Sequence, residues 1–446
     1  MFLVLANLCL FALASRWYSP GVGLLAVVVF QTMPVVIGMS RAFMTEYGVA
    51  ALTIAFVYYL IRSDGLRVGS ANFMLGLVGG LGLLMKITFA AVVLAPLVVT
   101  WMHGRGQRGP EKRSGFASWY SRRPVVSIAL TAGAIASTWY LSNFRQIMEF
   151  SLQSSYGAIA AHYQVANLWV WLRDLGSIGI SSFYTLVLFF CLIGELLTPL
   201  TMRRQPWSYR STILLSWLLP PAIAVFLSHQ QDPRHALVVL PPLAIWMASR
   251  VGAAMASLSR PVAVLSTAIF ISTPLLGTAA LTFPTAALGQ GFRAGPFLFL
   301  GRNLWWAHPP DRHGDWGQAR ILRALLVVPA PRPSYVIVGV EHPYFNANLL
   351  GYLNAREAGP FRFRSLGFDP DTPSSAALSR AVDRIRELQP RFIVMAEGFR
   401  EGELQTFLNR LNGDIRALLD RGELPFRRRT EIWLTETIKA VIYESE

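Results

Sequence analysis

Charge is what this sequence has least of. Only 15% of its 446 residues are charged and 53% are hydrophobic, whereas a soluble domain usually carries about 25% charged residues. The deficit is local. Residues 1–284 hold 19 Lys/Arg and 7 Asp/Glu, while residues 285–446 hold 21 and 18. The last third therefore reads as ordinary soluble protein, and the shift near Pro284 is the expected domain boundary. Lysine is scarcer still: Lys86, Lys112 and Lys439 are the only three among 40 basic residues. The two cysteines, Cys9 and Cys191, both sit in apolar runs, which argues against a disulfide framework and leaves the redox compartment unread. Gly-rich phosphate loops of the two common types are also missing, so nothing points to a nucleotide.

Long apolar runs are what the sequence has instead. They lie at 2–14, 21–39, 47–61, 71–85, 87–101, 125–141, 175–194, 211–228, 236–249 and 261–283. Several fall short of the ~20 residues that a bilayer usually needs. Lys86 interrupts one stretch, which predicts either two short helices or one long broken helix. The net charge is +15, and its cations lie in short loops between apolar runs. That is the pattern of a membrane protein rather than of a nucleic-acid binder.

Counting these cations orients the chain. Arg16, Arg62, Arg67, Arg105, Arg108, Lys112, Arg113, Arg122, Arg123, Arg203, Arg204, Arg210, Arg250 and Arg260 make 14 in one set of alternate loops, against 5 in the other: Arg41, Lys86, Arg145, Arg173 and Arg234. The first set is expected to face the cytoplasm, and the second set and the C-terminal domain to face outside. Residues 2–14 lack the basic flank of a signal peptide, and cleavage after Ala14 would break the alternation. Met1 then lies outside, as expected if one span and one external loop precede it.

In the tail, 335–340 and 391–396 have strand character, 374–389 and 402–421 have helical spacing, and 426–434 with 436–443 read as a closing strand pair. These predict a small α/β sandwich, serving as a support or an acceptor-binding module. The connector 285–334 is rich in aromatic residues. Its Trp305, Trp306, His308, Asp311, His313, Asp315 and Trp316 fit an interfacial aromatic belt; no fixed metal-ligand spacing is present. The expected architecture is an all-α polytopic membrane bundle of about ten spans (1–284), the connector (285–334) and an extracytoplasmic α/β domain (335–446).

Ionisable side chains near membrane spans are costly and tend to mark sites. Arg41 and Glu46 share one short external turn and could simply pair with each other. Lys86 lies between two apolar runs, where its ammonium could meet a phosphate or snorkel to the headgroups. His229, Asp232, Arg234 and His235 crowd a third external turn, which Pro233 fixes. Three turns on one face thus present cations (Arg41, Lys86, Arg234) beside acids (Glu46, Asp232), and a site at the outer face is expected. The loop 142–174, with Tyr156, His162, Tyr163, Trp169 and Trp171, reads as partly interfacial helix.

The stretches SRAFMTE, GLVGGLGLLMKITFAAVVLAP, WYLSNFRQ and QQDPRHALVVLPPLA, in that order, resemble the GT-C polytopic glycosyltransferases, in particular the bacterial relatives of protein O-mannosyltransferases and lipid A aminoarabinose transferases. The resemblance covers residues 1–284 well and the tail only in architecture. It implies a membrane enzyme of the bacterial inner membrane that moves a sugar from a polyprenyl-phosphate donor to an envelope lipid, glycan or protein at the outer face. It also implies that Lys86 and Arg234 hold the lipid phosphate and that Glu46 is a second acid near the sugar. From the outer-face turns, Arg41 and His235 are further candidates for binding the phosphate or substrate, and Asp232 is a further candidate catalytic acid. No cofactor or resident metal is expected, with a divalent cation left open, and no nucleic-acid partner. In that family the main catalytic carboxylate lies on the first external loop. This chain begins at what resembles the second span, so that carboxylate is expected to lie outside this sequence, through an upstream start or a truncation. The alternatives are a transporter or flippase for an envelope lipid, which the charges at one face rather than the midplane disfavour, and a non-catalytic scaffold.

Overall fold

A computed structural model describes residues 1–41, 45–105, 120, 123–155, 168–197, 208–227, 233–283, 292–294, 297–300, 316–327, 334–342, 345–366, 374–399, 409 and 411–446. The chain forms two compact units, Met1–Pro310 and Asp311–Glu446.

The first unit is helical: α1 (Phe2–Trp17), α2 (Pro20–Gln31), α3 (Pro34–Arg41), α4 (Thr45–Arg62), α5 (Gly69–Met85), α6 (Phe89–Arg105), α7 (Pro124–Ser155), α8 (Leu168–Asp174), α9 (Ser182–Leu197), α10 (Tyr209–Leu227), α11 (Leu240–Ala256) and α12 (Arg260–Thr282). A hairpin of β1 (Phe292–Ala294) and β2 (Phe297–Leu300) follows. Each of the ten apolar runs is helical over most of its described residues, with internal breaks at 32–33 and 180–181 and a turn at 87–88 before α6 begins. Among the described residues four helical stretches can cross a bilayer by length and composition, namely Pro124–Arg145, Tyr209–Leu227, Pro233–Ala256 and Arg260–Thr282, and six can if each of two bent pairs is one span. The run at 21–39 is one such pair: α2 and α3 meet at 71°, because Pro34 cannot continue the hydrogen-bond ladder of α2. Helices α1, α5 and α6 are apolar but shorter. The chain is an integral membrane protein.

Helix α4 is the core of the bundle, with nearly every residue from Tyr47 to Ile61 buried. The outer helices α9 and α12 instead expose Leu186, Phe189, Phe190, Val264, Leu265 and Ile269, as lipid-facing helices do. Glycines bring other helices close, as is common in membranes. Cβ atoms added at Gly76 and Gly80 of α5 would meet Thr131 and Ile135 of α7 at 2.5 and 2.6 Å. At the turn after α4, Gly65 has φ +67° and lies against Gly104 of α6.

Contacts between helix ends sort the charged loops as the charge count does. At one end Arg210 donates to the Trp17 carbonyl, Arg250 pairs with Glu195, Asn72 Nδ2 donates to the Tyr120 carbonyl at 2.9 Å, and the Tyr209 hydroxyl lies 2.9 Å from Thr100 Oγ1. At the other, Lys86 meets Glu46 at 3.2 Å and Arg41 donates to Thr282 Oγ1 at 2.5 Å.

The second unit contains α13 (Gln318–Leu326), β3 (Ser334–Val338), α14 (Ala347–Arg356), β4 (Phe361–Ser365), α15 (Ser374–Leu388), β5 (Phe392–Glu397), α16 (Asn412–Asp420), β6 (Phe426–Trp433) and β7 (Lys439–Ser445). Its sheet runs in the order β4-β3-β5-β7-β6, with β4, β3 and β5 parallel and β7 and β6 antiparallel additions. Alternate residues feed two cores, since successive side chains of a strand point to opposite faces. Val336, Val338, Phe392 and Val394 pack with Leu322 and Leu325 of α13 and Leu350 of α14. Ile337, Ile393 and Met395 pack with Ala381 and Ile385 of α15 and Ile415 and Leu419 of α16. The unit is an α/β/α sandwich. Trp316 and α13, from the segment expected as connector, belong to its first core. Helix α14 and strand β4 were not expected from the sequence. The helix expected at 402–421 is seen as Asn412–Asp420; residues 401–408 and 410 lie outside the described residues.

Candidate functional site

Lys86 owes its position to the end of α5. The helix stops at Met85, and Lys86 takes an extended backbone (φ −164°, ψ 132°). Its N–H donates to the Gly82 carbonyl and its own carbonyl accepts from the Phe89 N–H, each at 3.0 Å, so the residue closes one helix and opens the next. Gly82 makes the break possible: a Cβ there would lie 2.5 Å from the Phe89 ring. The expected interruption is therefore two helices, α5 and α6.

Glu46 stands in the first turn of α4, where the positive end of the helix dipole favours an acid. The two residues meet because the start of α4 lies against the end of α5. A Cβ on Gly48 would meet Met85 Cε at 2.2 Å, leaving room for no side chain between them. The Lys86 ammonium donates to Glu46 Oε1 at 3.2 Å, with the side chains 33% and 12% exposed respectively. Glu46 thus pairs with Lys86, not with Arg41 five residues earlier.

The third element is a 3₁₀ turn, Pro233–Val239, that leads into α11. Proline suits its first position because no amide proton is needed there. Pro233 lies 3.7 Å from where a Cβ on Gly179 would be. Buried Pro233, Ala236 and Leu237 anchor the turn, and Arg234 and His235 emerge half-buried. Arg234 acts electrostatically on Glu46. His235 is close enough to Lys86, Arg234 and Glu46 to feel all three charges, and its Nε2 is buried with no hydrogen-bond partner among the described residues. Four of the six expected residues therefore converge: Glu46, Lys86, Arg234 and His235. Arg41 shares their end of the bundle but is exposed and bonded to Thr282. Asp232 lies outside the described residues, as do His229, Tyr156, His162, Tyr163 and the cluster Trp305, Trp306, His308, Asp311, His313 and Asp315. No group of three or more metal-ligating side chains occurs among the described residues.

Beside this cluster is a set of neutral polar residues that charge counting passes over. Gln31 Nε2 donates to Asn7 Oδ1 at 2.6 Å and to the Tyr47 hydroxyl at 3.0 Å, joining α1, α2 and α4 next to Glu46. The Thr32 and Tyr184 hydroxyls lie 2.5 Å apart. The available signal was a lone Asn or Gln within an apolar run. An arrangement of one acid, two cations and an imidazole at a helix-bundle end can hold a phosphate and accept a proton.

The first 115 residues match the sequence profile of the dolichyl-phosphate-mannose-protein mannosyltransferases. Among solved structures, the chain is similar to ArnT from Cupriavidus metallidurans in its apo state, with a TM-score of 0.50 and 13% identity over 99% of this chain and 82% of that one. It is also similar to the arabinofuranosyltransferase AftD from mycobacteria, with a TM-score of 0.52 and 14% identity over all of this chain but 33% of that one. The chain thus spans about a third of the AftD length. No curated protein sequence matches significantly. At these identities the likeness establishes the fold, a GT-C-type membrane bundle followed by a small α/β unit.

Proposed function

We propose that this protein is a membrane glycosyltransferase that takes a sugar from a polyprenyl-phosphate donor and passes it to an acceptor of the cell envelope. The observation that carries the reading is the Lys86–Glu46 pair at 3.2 Å, joined by Arg234 and His235 from a third element. In such a transfer the acceptor hydroxyl forms the new bond at the sugar's anomeric carbon. The bond from that carbon to the phosphate oxygen breaks, and the polyprenyl phosphate leaves as an anion. Cations fixed beforehand stabilise that developing charge. Lys86 has three donor protons and, among the described residues, one partner in contact, Glu46, so its ammonium can also reach a phosphate oxygen, with Arg234 beside it. The acceptor must lose a proton, and Glu46 is the carboxylate placed to receive it; Asp232 is proposed to share this work. His235 and Arg41 complete the phosphate-binding face.

The site lies at the end of the bundle whose loops carry few cations. That end is assigned to the outer face of the bacterial inner membrane, together with the second unit, where lipid-linked donors rather than nucleotide sugars are at hand. The profile match to a dolichyl-phosphate-mannose-using family supports a lipid-phosphate donor. The test is transfer by the protein in proteoliposomes with a panel of polyprenyl-phosphate sugars and envelope acceptors. Transfer that is lost in Lys86→Ala and Glu46→Gln is expected; no transfer from any donor counts against the reading.

A further inference from the structure

The second unit has a topological switch point in its sheet. Strands β3 and β5 are parallel neighbours, with Val336 beside Phe392 and Val338 beside Val394. After β3 the chain runs to α14, which packs on one face of the sheet. After β5 it runs to α16, which packs on the other. The two connections part at the carboxyl ends of the strands, and such a divergence is where open α/β sheets take their ligands.

The side chains at that edge have a definite character. Asn409 clamps the backbone of Glu341: its Oδ1 accepts from the Glu341 N–H and its Nδ2 donates to the Glu341 carbonyl, both at 2.9 Å. The Glu341 side chain is half-buried and makes no ion pair or side-chain hydrogen bond among the described residues, whereas Glu397, Glu431 and Glu444 of the same sheet are all paired with Arg or Lys. Next to it the His342 ring stacks on Trp316 at 4.5 Å and lies 5.4 Å from the Phe399 ring. Among the described residues this carboxylate has no cation to offset its repulsion of a phosphate, and the turn after β3 (GVEHP) has no glycine-rich loop to cradle one. Carboxylate oxygens accept from hydroxyl or ammonium groups, and aromatic faces suit the C–H surface of a sugar ring.

We propose that this edge is a carbohydrate subsite, in which the Glu341 carboxylate accepts from the hydroxyl or amino groups of an uncharged or amino sugar seated against His342 and Phe399. It rests on the transferase reading in one respect, that the sugar belongs to the acceptor glycan. The test uses the full chain in nanodiscs, titrated with a panel of methyl glycosides, amino sugars and short oligosaccharides and read by saturation-transfer NMR. Wild type is expected to bind at least one sugar saturably. Glu341→Gln, which keeps the shape of the side chain, and Phe399→Ala are expected to weaken it about tenfold or more. Lys86→Ala is expected to leave it unchanged while losing polyprenyl-phosphate binding. If Phe399→Ala does not fold, Glu341→Gln decides. No binding from the panel, or binding indifferent to Glu341→Gln, overturns the subsite. Loss of sugar binding in Lys86→Ala alone moves the sugar to the membrane unit and also overturns it. Failure of the transferase reading shows separately, as absent polyprenyl-phosphate binding.

Discussion

Lys86 ends a helix with its backbone and neutralises Glu46 with its side chain, so its loss has two separable consequences. Lys86→Met leaves a carboxylate only 12% exposed without its cation. Removing one member of a fully buried pair costs roughly 3–5 kcal/mol; here the cost is smaller, because Lys86 itself is one-third exposed. A lower melting temperature in detergent is expected. Lys86→Met with Glu46→Gln should regain most of that stability yet remain unable to bind polyprenyl phosphate; if binding returns with stability, the pair is structural. At Glu341, burial raises the carboxyl above its ordinary range. The folded state then holds a proton that the unfolded state releases, so this group's contribution to stability is present at low pH and lost as pH rises through the raised value. Glu341→Gln should therefore raise the melting temperature near pH ~7 and change it little near pH ~4. Thermal melts at the two pH values check the sign.

Single residues were also the most legible feature of the site. Glu46, Lys86, Arg234 and His235 stand out because an ionisable group beside an apolar run is costly. Asn7, Gln31 and Tyr47 bear no charge, so their network was not legible. Nor was the partner of Arg41, since Thr282 lies 241 residues away in the chain.

Among the elements, α5 shows how composition becomes geometry. Its glycines face α7 and α6, and the break at Lys86 follows from Gly82 making room for Phe89. Gly80→Val should destabilise the bundle, because even a Cβ there would lie 2.6 Å from Ile135 Cβ; overpacking of this kind typically costs ~1–3 kcal/mol. Gly277→Ala, where nothing lies within 4 Å, is the matched control and should melt as wild type. In the tail, β3 and β5 were legible as apolar runs, and α15 by its period. Strand β4 was not, because FRFRS is an edge strand that buries Phe361 and Phe363 and leaves Arg362 and Arg364 exposed, too short and too charged to stand out. The 71° bend between α2 and α3 was hidden by an apolar run that continues through it, although Pro34 marks the spot.

At the scale of the whole molecule, the uneven loop cations and the contacts between helix ends divide the bundle in the same way. That division predicts sidedness. In a background with Cys9 and Cys191 replaced by serine, Thr282→Cys should react with a membrane-impermeant thiol reagent on intact cells. Asp64→Cys, at an exposed position of the opposite end, should react only after permeabilisation. The reverse pattern contradicts the assigned orientation. The central claim, that one end of the bundle is built around the phosphate of a lipid carrier, is most directly tested by equilibrium binding of polyprenyl phosphate to the purified protein in nanodiscs. Saturable binding, weakened about tenfold or more by Lys86→Ala and by Arg234→Ala, is predicted, since a charge-assisted hydrogen bond contributes about 1.5–3 kcal/mol. Binding that is absent, or indifferent to both substitutions, would contradict it.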